Sequence, residues 1–548
     1  MTLTKKRIAF ILFGLTFVFT MLIHETLFQT VDTARRYQVT QAITSGAPPI
    51  WYVDFVGNHY LKGVNGGQYY WYGMGESVLL APADFVAWHT LNFLNVENAD
   101  TKENIRQTIV LNLTFPLLSA MTVAIAFLLL TELSFGLRVS LLGALFFYFG
   151  TTFLHYSQIH QENSQLIFLN ICGYYMLLKW VKYRRFLFLF IGSALFGTLL
   201  LFRITTFADI LAAAIFTGLL LFWQEKPVFS RATIQRFIRF GVTFGGVVGF
   251  YFLIDRLFQY KRFGSFTSNY TSVLAEQVNT GEFIYYPDGG YIPPGWPYNL
   301  SPLTGITNVL FSPEKSLFIY DPLLIVLGLT LLIRHFGLHA GKLDNFKKAF
   351  LISGAASLGI YLAGYSTVDF WGGDDAWGAR YHTSPVQLLC LVAVPLFLEI
   401  APRLNIYVKR GIQGLIGLAC LFQVCSIIFW YSLEIRQFTC GYGTEFRILQ
   451  RIINIGQVFT GTYNPPANCV GIYKDNLFFF WPFEGATSIV PPALLPVATF
   501  FWLMAVFITI GAFIQFTRFA LKARVDEEAQ LLIIQPNRKL PEPVQSAG

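Results

Sequence analysis

Long apolar segments recur along the whole chain, and they constrain its fold more than any other feature. Many are long enough for a helix to cross the roughly 30 Å hydrocarbon layer of a bilayer. Only 13% of the residues are charged, about half of the roughly 25% found in soluble domains. We therefore expect an all-α polytopic membrane protein with about twelve (11–13) transmembrane helices. The twelve predicted spans are residues 7–28, 106–131, 138–156, 165–181, 186–202, 207–223, 240–257, 317–333, 348–365, 383–400, 411–431 and 490–516.

The distribution of Lys and Arg predicts the orientation of these spans. With a cytoplasmic N-terminus, 24 of the 39 Lys and Arg residues fall in the shorter inner segments, as the positive-inside rule requires. The net charge of +8 is then a consequence of topology and does not indicate a nucleic-acid partner. We expect a multi-pass protein of the inner or plasma membrane, with membrane lipids around it and both termini in the cytoplasm.

Two segments of the first outer loop are predicted to lie on the membrane surface. Residues 77–94 are apolar, but a crossing there would invert every later loop, and the segment carries Asp84 and His89. We interpret it as an interfacial helix. Residues 32–44 are predicted to form a second such helix, with Asp32 as its N-cap and its end at Gly46.

Four outer segments rich in Tyr, Trp, Gly and Pro are expected to fold together above the membrane. They are residues 29–105, 258–316, 366–382 and 432–489.

The chain is expected to divide into three parts. Residues 1–400 would form the main transmembrane module with the first three outer segments. Residues 401–516 would add the last helices and the loop 432–489, and residues 517–548 would be a disordered cytoplasmic tail.

Asp32 is the first acidic residue after the first long span reaches water. Ionisable residues at a membrane face are often functional. Partial desolvation there is expected to raise the pKa of the carboxyl group toward a range useful for a general base. The alternative interpretation is a solvated residue that only caps a helix.

Three motifs occur in a fixed order around this residue. The first is Gly67-Gln68-Tyr69-Tyr70-Trp71-Tyr72-Gly73-Met74-Gly75-Glu76-Ser77, which continues to Pro82. The second is Phe311-Ser312-Pro313-Glu314-Lys315-Ser316, which continues to Pro322. The third is the loop from Trp371 to Tyr381, which ends in Gly378-Ala379-Arg380-Tyr381.

Together these features resemble the bacterial integral-membrane glycosyltransferases of the C-type fold, a group that includes the dolichyl-phosphate-mannose protein mannosyltransferase-like enzymes. The resemblance implies a polyprenyl-phosphate-linked sugar donor, a lipid, glycan or protein acceptor, and a catalytic carboxylate in the first outer loop. The matching position here is Asp32. Many relatives have a second acidic residue beside it, where this chain has Thr33, so Asp54 and Glu76 remain alternative second carboxylates.

Outer-facing cations are the second requirement, because a leaving phosphate needs positive charge or amide donors. Arg380 is the first candidate, since it lies in a loop of small residues at a helix entry and the planar guanidinium suits phosphate. Arg203, at the outer end of a span, is the second. Lys261 and Arg262 are the third, with lipid headgroups as the alternative ligand of this pair.

Other residues of the outer segments are candidates for substrate contact. Carboxylates and the polar loop after the third span would hydrogen-bond sugar hydroxyls, and aromatic rings would stack on sugar faces. Solvated carboxylates and interfacial anchoring of Trp and Tyr are the alternative interpretations. The candidates are Asp54, Tyr70, Glu76, His160, Glu162, Trp371 and Tyr381.

A divalent cation and a disulfide are further possibilities that the residues leave open. The pair Asp374-Asp375 would suit Mg²⁺ or Mn²⁺, or it would simply cap its loop. Cys440 and Cys469 share one outer loop and would pair in an oxidising compartment. No Cys and His spacing typical of zinc occurs.

These observations predict a membrane glycosyltransferase that works on the extracytoplasmic face of the cell envelope. No Asp-x-Asp occurs, which favours a lipid-linked donor over a metal-bound nucleotide sugar, and no ATP-binding Gly-rich loop occurs. The alternatives are a transporter or lipid-carrier flippase, which would show repeated halves and charges at mid-membrane, and a non-catalytic envelope scaffold.

Overall fold

The computed structural model of the chain is almost entirely helical. It describes residues 4–25, 27–28, 30–47, 60–70, 72–224, 230–268, 270–281, 297–336, 343–373, 376–465, 469 and 492–522.

Twenty α-helices account for most of the described residues, with one two-stranded antiparallel sheet that pairs Leu61–Lys62 (β1) with Gln68–Tyr69 (β2). In the first half of the chain the helices are Lys5–Ile23 (α1), Val31–Ser45 (α2), Gly75–Phe93 (α3), Ala99–Glu132 (α4), Leu137–Phe149 (α5), Phe153–Gln158 (α6), Asn163–Tyr183 (α7), Phe186–Phe202 (α8), Phe207–Gln224 (α9) and Arg231–Phe263 (α10).

The second half contains the other ten helices. They are Tyr270–Asn279 (α11), Pro302–Phe311 (α12), Leu317–Tyr320 (α13), Leu323–Phe336 (α14), Asn345–Tyr365 (α15), Thr383–Ile400 (α16), Ile406–Ser426 (α17), Leu433–Thr439 (α18), Arg447–Phe459 (α19) and Leu495–Lys522 (α20).

Eight helical segments among the described residues are long and apolar enough to cross a membrane. This confirms a multi-pass, all-α membrane protein, but not the number twelve. The other four predicted spans coincide with α5, α7, α8 and α14, which are too short or too polar to qualify on length and composition alone. The eight are Lys5–Ile23, Ala99–Glu132, Ile204–Trp223, Arg231–Phe263, Asn345–Tyr365, Arg380–Arg403, Ile406–Ser426 and Leu495–Lys522.

Ion pairs bring several helix termini together at one end of the bundle. Glu132, at the end of α4, lies 2.7 Å from Lys5 and 3.2 Å from Lys182. Glu399 of α16 lies 2.6 Å from Lys347 and 3.4 Å from Arg334. Helix α4 therefore runs antiparallel to α1, so the segment between them returns at the opposite end.

That opposite end carries α2 and α3, and both differ in detail from the sequence prediction. Helix α2 begins at Val31 with Thr30 as its N-cap, so the prediction that Asp32 is the N-cap is wrong. Asp32 lies in the first helical turn, where a negative charge is favourable near the N-terminus. The predicted end at Gly46 is confirmed, with a left-handed φ of 69° that suits glycine.

Helix α3 packs against α2 and the start of α4, and it is not one of the eight apolar segments. A buried ion pair joins the two longer helices. Arg106 donates to both oxygens of Asp84, at 2.7 and 2.6 Å, and the Tyr37 hydroxyl of α2 donates to the same carboxylate at 2.8 Å. Because Asp84 is completely buried, this contact fixes α2, α3 and α4 as one unit.

Candidate functional site

The carboxylate and the arginine that head the sequence-based candidates meet in the structure. Nη2 of Arg380 donates to Oδ2 of Asp32 at 3.2 Å, although the two residues are 348 positions apart. The Asp32 side chain keeps 28% of its surface exposed and Arg380 keeps 12%. The pair is therefore held by the protein and still accessible from outside it.

Two glycines allow the loop that precedes Arg380 to pack closely against the side chains of Arg380 and Lys315. Gly373 has a φ of +77°, and a Cβ there would lie 2.3 Å from Cγ of Arg380. A Cβ on Gly372 would lie 2.4 Å from Cδ of Lys315, whose ammonium donates to the Gly372 carbonyl at 3.2 Å. Asn163 at the start of α7 donates to the Arg380 carbonyl at 2.7 Å. The loop thus places two cations, Arg380 and the buried Lys315, on one glycine turn.

Tyr72 approaches Asp32 from the other side. Its hydroxyl donates to Oδ1 of Asp32 at 2.5 Å. The neighbouring Gly73 packs so closely on the end of α8 that a Cβ would lie 2.3 Å from the Leu201 carbonyl. Arg262 donates to the Tyr72 carbonyl at 3.1 Å. Both contacts hold the Tyr72 ring in place over the site.

A buried chain of alternating charges lies directly behind Asp32. Arg36, one helical turn along α2, lies 3.0 Å from Glu76 and 2.8 Å from Glu162. Glu162 also pairs with Arg203. The Arg36 guanidinium stacks 4.2 Å from the centre of the Tyr72 ring. Because all four charged groups are buried, each needs its neighbours, and the chain is rigid for that reason.

The electrostatic surroundings determine the ionisation of Asp32. Burial alone would raise its pKa, but the charges of Arg380 and Arg36 and the hydrogen bond from Tyr72 outweigh burial and lower the pKa to about 2. The expectation of a raised pKa is therefore wrong. Asp32 is an ionised carboxylate at neutral pH, and its basicity is held low by the arginine that it contacts.

Glu76 differs from Asp32 in this respect. Burial raises its pKa to about 7, and Glu162 adds to the shift, while Arg36 and a hydrogen bond from Gln165 oppose it. Two carboxylates that share one arginine repel each other. The Glu76 carboxyl group therefore titrates near neutral pH.

Arg203 and Tyr381, both predicted from sequence, lie at the edge of the site. The Arg203 guanidinium lies 5.2 Å from the centre of the Tyr381 ring, and the Arg380 guanidinium lies 5.3 Å from the same centre. Tyr381 also stacks on Tyr365 at 4.7 Å. The ring thus separates two cations, only one of which contacts Asp32.

Several candidates are buried in supporting positions and are not placed to touch a substrate. His160 is completely buried, and its carbonyl accepts the Thr33 hydroxyl. The Tyr70 hydroxyl donates to Gln38, and Trp371 belongs to the main hydrophobic core. Their predicted sugar contacts therefore have no support from the structure.

The two cations near the end of α10 differ in their exposure to solvent. Arg262 is buried and donates to the Tyr70 carbonyl at 2.7 Å and to the Tyr72 carbonyl, so it supports the loop. Lys261 is exposed.

Three sequence-based predictions concern residues that the structure does not describe or that lie beside such residues. Asp54, Asp374 and Asp375 lie outside the described residues, and among those that are described no group of three His, Cys, Asp or Glu side chains could hold a metal ion. Cys440 and Cys469 are free thiols that lie in one apolar cluster. Their oxidation to a disulfide stays a prediction.

The sequence did not single out Arg36 or Lys315 as site residues, and Tyr72 entered only as a member of the first motif. Arg36 lies four positions after Asp32, the spacing that places two residues on one face of a helix. That spacing was a usable signal. Lys315 had no local signal, because its role depends on contact with Gly372 in a loop 57 positions away.

No protein-family model matches the chain, and no curated protein sequence is significantly similar to it.

Proposed function

We propose that this protein is a membrane glycosyltransferase that uses a polyprenyl-phosphate-linked sugar donor, with Asp32 as the general base and Arg380 as a ligand of the donor phosphate. The observation that carries the proposal is the contact between these two side chains at the end of the bundle where α1 finishes. The acceptor would be a lipid, a glycan or a protein with a free hydroxyl group. The site would face the extracytoplasmic side.

The reaction requires few groups, and the described residues supply them. The acceptor hydroxyl attacks the anomeric carbon while Asp32 removes its proton, and the bond between that carbon and the phosphate oxygen breaks. The lipid phosphate leaves with the bonding electron pair. Arg380 is placed to stabilise the developing negative charge, with Lys315 beside it on the same glycine turn.

The resting contact between Asp32 and Arg380 also explains how a carboxylate with a pKa of about 2 would act as a base. A donor phosphate would compete for the Arg380 guanidinium, whose fork binds phosphate in two hydrogen bonds. Loss of that arginine from Asp32 removes the largest charge that lowers the pKa. Asp32 would therefore gain basicity once donor is bound.

The experiment is an assay of donor consumption by the purified protein in nanodiscs. A panel of polyprenyl-phosphate sugars is supplied with candidate acceptors, and transfer to acceptor and hydrolysis are both measured. We expect wild-type protein to consume at least one donor and Asp32→Asn protein to consume none. Donor consumption at the wild-type rate by Asp32→Asn protein would contradict the base assignment.

The same preparation distinguishes glycosyl transfer from the alternative function of a transporter or flippase. A transporter moves the labelled lipid between leaflets without breaking its sugar–phosphate bond. Movement without bond cleavage across the donor panel would favour that alternative over glycosyl transfer.

A further inference from the structure

Helix α19 has its apolar side facing outward and its polar side facing the protein. Leu449, Ile452, Ile453 and Phe459 keep between 39% and 87% of their surface exposed. The first three recur at spacings of three and one, so they form a stripe along one face. The opposite stripe is buried although it consists of charged and amide side chains: Arg447, Gln450, Arg451 and Asn454.

Each residue of the buried polar stripe makes at least one side-chain hydrogen bond, so rotating α19 to bury its apolar face would break these bonds. Arg451 donates to both oxygens of Glu434 at 2.5 Å and to the carbonyls of Ser426 and Phe429 at 3.0 Å. Asn454 donates to Glu434 at 3.1 Å. Breaking a buried pair of this kind leaves an uncompensated buried charge and is strongly destabilising. The outward orientation of the apolar stripe is therefore imposed by the fold.

The preceding helix α18 supplies the partners of this polar stripe. Glu434 and Gln437 are buried and hydrogen-bond to Arg451 and Asn454, whereas Phe438 keeps 46% of its surface exposed. Helix α19 therefore turns charged and amide side chains inward and apolar ones outward, which is the reverse of an amphipathic helix of a water-soluble protein. Such an arrangement is stable where the surrounding medium is apolar.

The position of these helices in the chain identifies that medium. Helix α17, one of the eight apolar spans, ends at Ser426, and Trp430 and Tyr431 follow before α18 begins. Trp and Tyr are the residues that concentrate at membrane–water boundaries. Helix α19 also packs directly against α17. With 13 residues it is too short to span a bilayer, but it suits a position in the plane of the interface.

We propose that α18 and α19 are embedded in the membrane leaflet at the Asp32 end of the bundle, with Leu449, Ile452, Ile453 and Phe459 in contact with lipid. The proposal stands without the proposed function, but it bears on the same site. Ile448 of α19 packs with Trp377 of the loop that carries Arg380, and Arg447 pairs with Glu314. Lipid contact along α19 would thereby fix the height of that loop relative to the membrane surface.

Photo-crosslinking in nanodiscs tests the proposal on the full chain. Benzoylphenylalanine replaces Ile453 in one preparation and Glu445 in another. Glu445 is exposed and lies two residues before α19, so it is the matched control. After irradiation, mass spectrometry measures adducts to phospholipid acyl chains and to protein.

We expect the lipid adduct at position 453 to exceed that at position 445 by about tenfold. Equal lipid yields at the two positions would overturn the proposal. So would a predominant adduct to a second copy of the chain, since the apolar stripe would then be a protein interface. Thermal unfolding of each preparation shows whether the substituted chain is folded, and a second pair at positions 452 and 444, the latter exposed and before α19, replaces any that is not.

Discussion

Two carboxylate–arginine pairs lie at the same end of the molecule, and they differ in burial and in how many oxygens of the carboxylate the arginine contacts. Asp84 is completely buried, and Arg106 donates to both of its oxygens within 2.7 Å. Asp32 is 28% exposed and has a single contact of 3.2 Å with Arg380. A carboxylate with all its acceptor positions filled has none left for a substrate. Asp32 retains one face toward solvent.

The difference teaches that a charge pair alone does not identify a functional site. Asp84 holds three helices together and would be costly to separate from its partner. Asp32 is oriented by Tyr72 and lies beside Arg380, to which another anion can bind in its place. Incomplete pairing and access are what distinguish it. The predictions below use the two pairs as controls for each other.

Replacing Asp32 by Asn should have the largest effect on activity. Loss of a general base lowers the rate by roughly 10²–10⁴-fold, so sugar transfer should fall by about that factor or become undetectable. The isosteric amide keeps the hydrogen bond from Tyr72, so the thermal unfolding midpoint should stay within a few degrees of wild type. Initial rates in nanodiscs and a melting curve measure both quantities. A normal rate would remove Asp32 from the mechanism.

Replacing Asp84 by Asn should lower the stability of the protein and leave its activity nearly unchanged. It leaves Arg106 buried without its charge partner, which costs about 3–5 kcal/mol of unfolding free energy. We expect a clearly lower unfolding midpoint, while the fraction that remains folded transfers sugar at a near-normal rate per molecule. Melting curves in detergent and rates normalised to folded protein check this. A loss of turnover per folded molecule with unchanged stability would contradict the structural role of Asp84.

Replacing Arg380 by Lys should weaken donor use without abolishing it. Lysine keeps the charge but lacks the planar fork that binds phosphate with two hydrogen bonds. We expect the KM for donor to rise by about tenfold, with a smaller change in kcat. The matched control is Arg203→Lys, which alters a cation that is already paired with Glu162. Identical effects of both substitutions on the donor KM would contradict the assignment of the phosphate to Arg380.

Replacing Tyr72 by Phe should have a smaller effect that depends on pH. The Tyr72 hydroxyl stabilises the ionised form of Asp32, and it helps to lower the pKa of that group. Its removal should raise this pKa, so the acidic limb of the kcat/KM profile should move to higher pH, while the rate at neutral pH, where Asp32 is ionised with or without the hydroxyl, should change little. A pH–rate profile measures the shift. Movement of the limb to lower pH would contradict the hydrogen-bond role.

Replacing Glu76 by Gln should have the smallest effect, and it concerns stability. Burial raises the pKa of Glu76 from its ordinary 4.5 to about 7, so the folded chain holds this proton more tightly than the unfolded chain. Stability from this group is therefore complete below pH 4.5 and is lost as pH rises to about 7. The substitution should flatten the decline in unfolding midpoint over that range. An unchanged slope would show that another group titrates there.

The sequence alone predicted the helical membrane class, the helix that became α3 and the two residues that meet at the centre of the site, whereas the placement of α3 on the membrane surface stays a prediction. Those depend on long apolar runs, charge placement and local motifs, which are visible without tertiary structure. It did not predict the lowered pKa of Asp32, because that depends on Arg380, 348 positions away, and on Arg36 outweighing burial. The sequence-based N-cap was also wrong, because Thr30 and Asp32 are both favourable capping residues and local sequence does not distinguish them.

Binding of polyprenyl phosphate without sugar tests the central claim most directly, because it separates the phosphate site from the base. Equilibrium binding is measured for wild-type, Asp32→Asn and Arg380→Lys proteins in nanodiscs. Asp32→Asn frees Arg380 from its ion pair, so this variant should bind the lipid phosphate at least as tightly as wild type while transferring no sugar. Arg380→Lys should bind it about tenfold more weakly. Weaker binding by Asp32→Asn, to the same degree as by Arg380→Lys, would contradict the account.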